Sequence, residues 1–154
     1  MEESEFRKTY QELRELPCAF EKAVLNRWCA CSRLERFNLG EREGVTCGAW
    51  TAQQNCATLL GLLRQHARFA LHARTLPGPL PHAREVKLQA GGLRGLQGLL
   101  TPAGETQEVR DVYALVGALQ AHYGTLEQIP FDTVIRSIAT FEVRRRGGAR
   151  PPGR

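Results

Sequence analysis

Cysteine vanishes from this 154-residue chain after position 56, lysine is confined to Lys8, Lys22 and Lys87, and acidic residues stop at Glu142. No apolar run approaches the roughly 20 residues of a membrane-spanning helix. The opening Met1-Glu-Glu-Ser-Glu-Phe-Arg-Lys8 is dense in charge, so no secretory signal is expected there and a cytoplasmic setting is. A C-x-x-C pair is missing, which removes the usual oxidoreductase motif. No His, Asp and Ser residues fall at local triad spacing. The glycine-rich stretch 90–100 lacks the Gly-Lys-Ser/Thr ending of a phosphate loop. These absences make an enzyme the least supported class.

What remains is ordinary in bulk. Hydrophobic residues make up 42% and charged residues 24%, and the Arg- and Ala-rich composition is bacterial in style. A chain of this length buries roughly 68–70% of its unfolded surface, so it needs no metal or disulfide merely to fold. The net charge of +5 is local. Arg144, Arg145, Arg146, Arg150 and Arg154 carry it, and residues 1–143 hold 16 basic against 16 acidic residues. A nucleic-acid-binding face normally leaves its own domain positive. Here the excess belongs to residues 144–154, read as a disordered Arg/Gly/Pro tail capable of weak, non-specific nucleic-acid contact.

The pattern of residues 1–143 predicts one all-α domain of five or six short helices. Phe6, Tyr10 and Leu13 share a face over 4–16. Phe20, Val24 and Trp28 recur in steps of four after Pro17, which can open a helix. Two capping boxes, Ser32-Arg-Leu-Glu35 and Thr51-Ala-Gln-Gln54, mark helix starts. The second leads into a predicted helix over 52–73 with Cys56, Leu59, Leu60, Leu63, Ala67 and Ala70 along one stripe. Prolines at 77, 79 and 81 then break the chain. Residues 85–89 read as a short strand or a helical turn, and 90–100 as a glycine-rich connector or a place of close backbone approach. Helices over 107–123, stopped by Gly124, and after Pro130 complete the set. The expected core is Trp28, Leu59, Leu63, Phe69, Val112, Val116, Ile135 and Ile138. The charge-rich stretch 35–43 reads as a solvated face or the rim of a site.

Chemistry, if present, lies in Cys18, Cys29, Cys31, Cys47 and Cys56. Thiolates gathered by a fold are metal or redox ligands. In one unbroken helix Cys18 and Cys29 stand roughly 16 Å apart along the axis, and Cys29 and Cys31 face nearly opposite ways. A break at 29–31 releases both thiols. Cys29, Cys31, Cys47 and Cys56 then form the coherent metal-ligand set, with Cys18 as the spare and Trp28 and Trp50 as shields. Their spacing lacks the C-x2–4-C pairs of structural zinc sites, so an iron–sulfur cluster ranks ahead of zinc. Free cysteines also behave as small hydrophobes, and a chain with no cofactor is weighed equally. His66 and His72 lie too far along their helix to join Cys56. The sequence thus supports a cysteine-ligated metal-binding protein for redox sensing, electron transfer or docking an unidentified protein partner. The alternatives are a cofactor-free helical interaction module and a nucleic-acid accessory protein acting through the tail.

Overall fold

The computed structural model describes residues 3–5, 8, 16–68, 81–102, 105 and 108–143. The chain is mixed α+β, not all-α, because an antiparallel hairpin joins the helices. In order come α1 (Glu21–Leu25), β1 (Leu34–Leu39), β2 (Arg42–Cys47), α2 (Trp50–Ala67), α3 (His82–Val86), a π-helical turn (Lys87–Gly91), α4 (Gly92–Leu100), α5 (Val112–Tyr123), a 3-10 turn (Leu126–Gln128) and α6 (Phe131–Thr140). Among the described residues no helix is long and apolar enough to cross a membrane.

The hairpin corrects the capping box expected at Ser32–Glu35, where β1 begins instead. Leu39 pairs with Arg42, leaving Gly40-Glu41 as a two-residue turn. Gly40 sits at φ +65° in the first central position, where the hairpin turns that match strand twist take glycine. Arg36 and Glu43 bridge at 3.2 Å across the exposed face of the hairpin. Only Gly44 and Val45 of the two strands are buried.

Helices form the body. In α5, Asp111 accepts the Tyr113 N–H as N-cap, and Gly124 closes the helix at φ +87°. Its buried Val112, Leu115, Val116 and Leu119 follow the helical period. Pro130 precedes α6, which buries Phe131, Val134 and Ile138. Helix α2 starts at Trp50, two residues ahead of expectation, and Ala49 at its N-cap makes no side-chain hydrogen bond, so the Thr51 box is not used. The described part of this helix ends at Ala67.

The glycine-rich stretch is no connector. It continues from the π turn into α4, which packs on α6. A Cβ on Gly91 would come within 2.9 Å of the Phe141 Cβ and 3.0 Å of the Ile138 Cα, and one on Gly95 within 2.9 Å of the Ser137 Cβ. These glycines let two helix backbones approach, the second of the readings the sequence allowed. Residues 85–89 are correspondingly helical, not a strand.

Of the expected core, Trp28, Leu59, Leu63, Val112, Val116 and Ile138 are buried and Ile135 is partly buried against them. Phe69, the helix proposed over 4–16 beyond a few residues, the proline break and the 144–154 tail fall outside the described residues.

One polar network threads this core. Glu85, only 2% exposed, takes two hydrogen bonds from Arg64, at 2.6 and 2.8 Å. Gln89 donates to the same carboxylate at 2.7 Å and accepts the Ala23 N–H at 3.1 Å. The chain Arg64–Glu85–Gln89–Ala23 thus fixes α1 to the helical body, and α1 directly follows Cys18.

Candidate functional site

Cys18 lies in the turn before α1, Cys29 and Cys31 between α1 and β1, Cys47 at the end of β2, and Cys56 within α2. Helix α1 ends at Leu25, so Cys29 and Cys31 are free of helical constraint, as a break in this region requires. All five thiols are free and partly buried.

Backbone pairing brings four of these segments together. The Cys47 N–H donates to the Leu16 carbonyl at 2.7 Å, and Pro17 bridges Thr46. The Gly48 N–H donates to the Arg33 carbonyl at 2.7 Å. From α2, the Gln53 side chain donates to the Pro17 carbonyl at 3.1 Å. On the far side, Val112 N–H donates to the Ala30 carbonyl at 2.9 Å, and Asp111 accepts the Ser32 N–H at 2.9 Å. The residues flanking Cys18, Cys31 and Cys47 are therefore held by hydrogen bonds to other segments.

Cys18, Cys31, Cys47 and Cys56 line one small apolar cavity, together with side chains that include Phe20, Leu34, Val112 and Tyr113. It has about 20 Å3 of room for the centre of a water-sized sphere, against the roughly 10–15 Å3 that one water requires. Cys29 lines a different cavity, beside Arg27, Arg36, Glu108 and Arg110. Of the sequence-derived set, Cys31, Cys47 and Cys56 line this cavity together with Cys18, while the Cys29 thiol lines the neighbouring one and still interacts with Cys18, Cys31 and Cys56. Cys29 is anchored there by its bridge to Val109. The proposed tryptophan shield takes no part in the lining. Trp28 packs edge-on against Phe141 at 4.8 Å, and Trp50 is 64% exposed.

Burial dominates the thiol acidities. It pushes Cys18 and Cys56 up to about 12 and raises Cys29 and Cys31 as well. The neighbouring sulfurs add to this, since thiolates close together repel. Backbone amides act the other way. The Phe20 N–H is directed at the Cys18 sulfur, and the N–H groups of Arg33 and Tyr113 at that of Cys31. The Cys47 thiol donates to the Ala49 carbonyl at 3.3 Å. Among the described residues no three His, Cys, Asp or Glu side chains stand, as placed, in an arrangement that holds a metal ion. His66 instead stacks on Phe131 at 4.5 Å.

Beside the thiol cavity runs an open groove between α2 and α5, sharing Ala52, Cys56 and Tyr113 with it. Trp50 at the start of α2 and Tyr113 at the start of α5 are the large apolar side chains left exposed among the described residues. Arg33 lies over the Tyr113 ring at 4.3 Å. Local spacing carries no signal for this groove, because its walls come from two helices distant along the chain. Comparison of the chain with protein-family models, with curated proteins and with solved structures finds no match.

Proposed function

We propose that this protein binds a metal through its cysteines and presents the metal-bound end to a partner. The observation that supports this most is the meeting of Cys18, Cys31, Cys47 and Cys56, from four separate segments, on one apolar cavity. Soft thiolates in such a set select zinc, copper(I) or iron–sulfur clusters over hard cations. Metal binding displaces the thiol protons and so overcomes the raised thiol pKa values that burial produces. The groove beside Cys56, lined by the half-exposed Tyr113, supplies a surface that a partner could read.

The test is elemental analysis of protein purified without oxygen or chelators. Metal in stoichiometric amount is expected. A second reading, a cofactor-free interaction module with structural cysteines, is favoured by the lack of an arranged metal-holding group among the described residues. Protein that carries no metal and takes up none would establish that second reading.

A further inference from the structure

We propose that the cavity between the end of α1 and residues 108–110 binds a small phosphate monoester, with Arg27 and Arg110 holding the phosphate. The isolated parallel bridge between Cys29 and Val109 lays these two segments side by side. The Val112 N–H bond to the Ala30 carbonyl at 2.9 Å continues the seam. A cavity of about 290 Å3 opens against it, close to the lower end of the roughly 300–1,000 Å3 of small-molecule sites. Buried Val24, Trp28 and Val109 give it an apolar part. Exposed Arg27, Arg36 and Arg110 line it from the end of α1, from β1 and from the approach to α5.

Charge selects the ligand class. Three arginines against one glutamate, Glu108, leave the lining with an excess of two positive charges. Burial raises the Cys29 pKa, so that thiol stays neutral and adds no negative charge. Arg36 is partly engaged, bridging Glu43 at 3.2 Å. The Arg27 and Arg110 side chains make no hydrogen bond or ion pair among the described residues. Their planar forks match the oxygens of a phosphate, which each can hold through two parallel bonds. A phosphate monoester carries between one and two negative charges near neutral pH, because its second pKa is about 6. The apolar part of the cavity then receives the organic group.

The backbone supplies an independent observation. Arg27 is the one non-glycine residue with positive φ among the described residues, at +62°. The Trp28 N–H donates to the Ala23 carbonyl at 2.9 Å and the Arg27 N–H to the Val24 carbonyl at 3.0 Å. That pair of bonds is the Schellman ending of a helix, and Arg27 occupies the left-handed position that glycine fills most easily. An arginine there accepts backbone strain and returns no side-chain contact within the described residues. Strain of this kind concentrates where a ligand is clamped.

The experiment is calorimetric titration of the full chain with phenyl phosphate, phenyl sulfate, inorganic phosphate and phenol at fixed ionic strength. Phenyl phosphate should bind at a single saturable site, more tightly than the singly charged sulfate ester or inorganic phosphate, and phenol should not bind. Arg27→Gly and Arg110→Gln should each weaken phenyl phosphate about tenfold. Glycine suits the turn at 27, so Arg27→Gly should melt no lower than the parent, which separates a lost contact from a lost fold. Circular dichroism makes the same check for Arg110→Gln. Arg136→Gln, at an exposed arginine on α6 outside the cavity lining, should leave binding unchanged. Absence of phenyl phosphate binding would overturn the proposal. Equal weakening by all three substitutions would overturn it as well, since it would mean diffuse attraction to positive charge. Equal affinity for the phosphate and sulfate esters would overturn the assignment to a phosphate.

Discussion

The helical body and the cysteine end are built on different physics. In the body, α2, α4, α5 and α6 bury leucine, valine and isoleucine at helical spacing, and Gly91 and Gly95 draw two backbones into contact. Glu85, the buried carboxylate among the described residues, is matched by Arg64 and Gln89. At the cysteine end half of the hairpin is exposed and little of it is fully buried, and single backbone hydrogen bonds join its neighbouring loops. The difference teaches that the body is held mainly by apolar burial closed around a satisfied ion pair. The other end depends on directed contacts, each worth about 0.5–1.5 kcal/mol net.

The largest expected effect comes from the body. Arg64→Met removes the guanidinium from a carboxylate that is 2% exposed and should cost about 3–5 kcal/mol, read by urea denaturation. Adding Glu85→Gln removes the charge as well and should restore much of the loss. If the single variant melts like the parent, the body does not rely on this network and the contrast between the two regions weakens.

Glycine sharpens the same contrast within the body. Gly95→Ala must push against the Ser137 Cβ at 2.9 Å and the Val134 backbone at 3.1 Å, so overpacking of about 1–3 kcal/mol should outweigh any gain in helix propensity. Gly61→Ala, in the exposed interior of α2 with nothing within 4 Å of the added Cβ, should instead stabilise by up to about 1 kcal/mol. Opposite shifts in melting temperature are expected. Equal shifts would mean that α4 and α6 are not in backbone contact.

A smaller effect is expected where the two regions meet. Asp111 caps α5 and holds Ser32 beside Cys31. Burial acts to raise its pKa, but hydrogen bonds from the Ser32 N–H and hydroxyl and from the Ala114 and Tyr113 N–H groups outweigh it and hold the carboxyl below its ordinary value. A depressed folded-state value means that its stabilisation is complete above the unfolded value of about 3.9 and disappears as pH falls through the folded one. Asp111→Ala should cost about 1 kcal/mol at neutral pH. The gap between variant and parent should close as the solution is acidified below about pH 4. Hydrogen exchange should quicken first at Ser32 and Tyr113. A gap unchanged with pH would show that the carboxylate charge plays no part.

Much of the body was legible in the sequence because its signals are local. Gly124 stops α5 where its turn chemistry predicts, although the helix begins at Val112 and not at 107, and the spacing of Val134 and Ile138 names the inner face of α6. The hairpin was missed because its turn, Gly40-Glu41, lies inside a run of charges that reads equally as a solvated face. The four residues of the Ser32 box fit a helix start, yet Leu34 and Glu35 pair with Cys47 and Thr46. That choice belongs to a partner strand, not to the four residues themselves.

Sequence alone determined that the molecule is predominantly helical and that its cysteines are confined to residues 18–56. Helical period, turn residues and composition act over a few residues, so they can be read directly. Tertiary structure alone decided that 90–100 is a helix, since glycine disfavours one locally and only the approach of α6 compensates. It alone chose Cys18 over Cys29 for the shared cavity. That choice depends on how 16–17 pairs with 46–47 and how 29–32 lies along 109–113. Contacts between segments tens of residues apart leave no mark in local spacing, because the chain must close on itself before they exist.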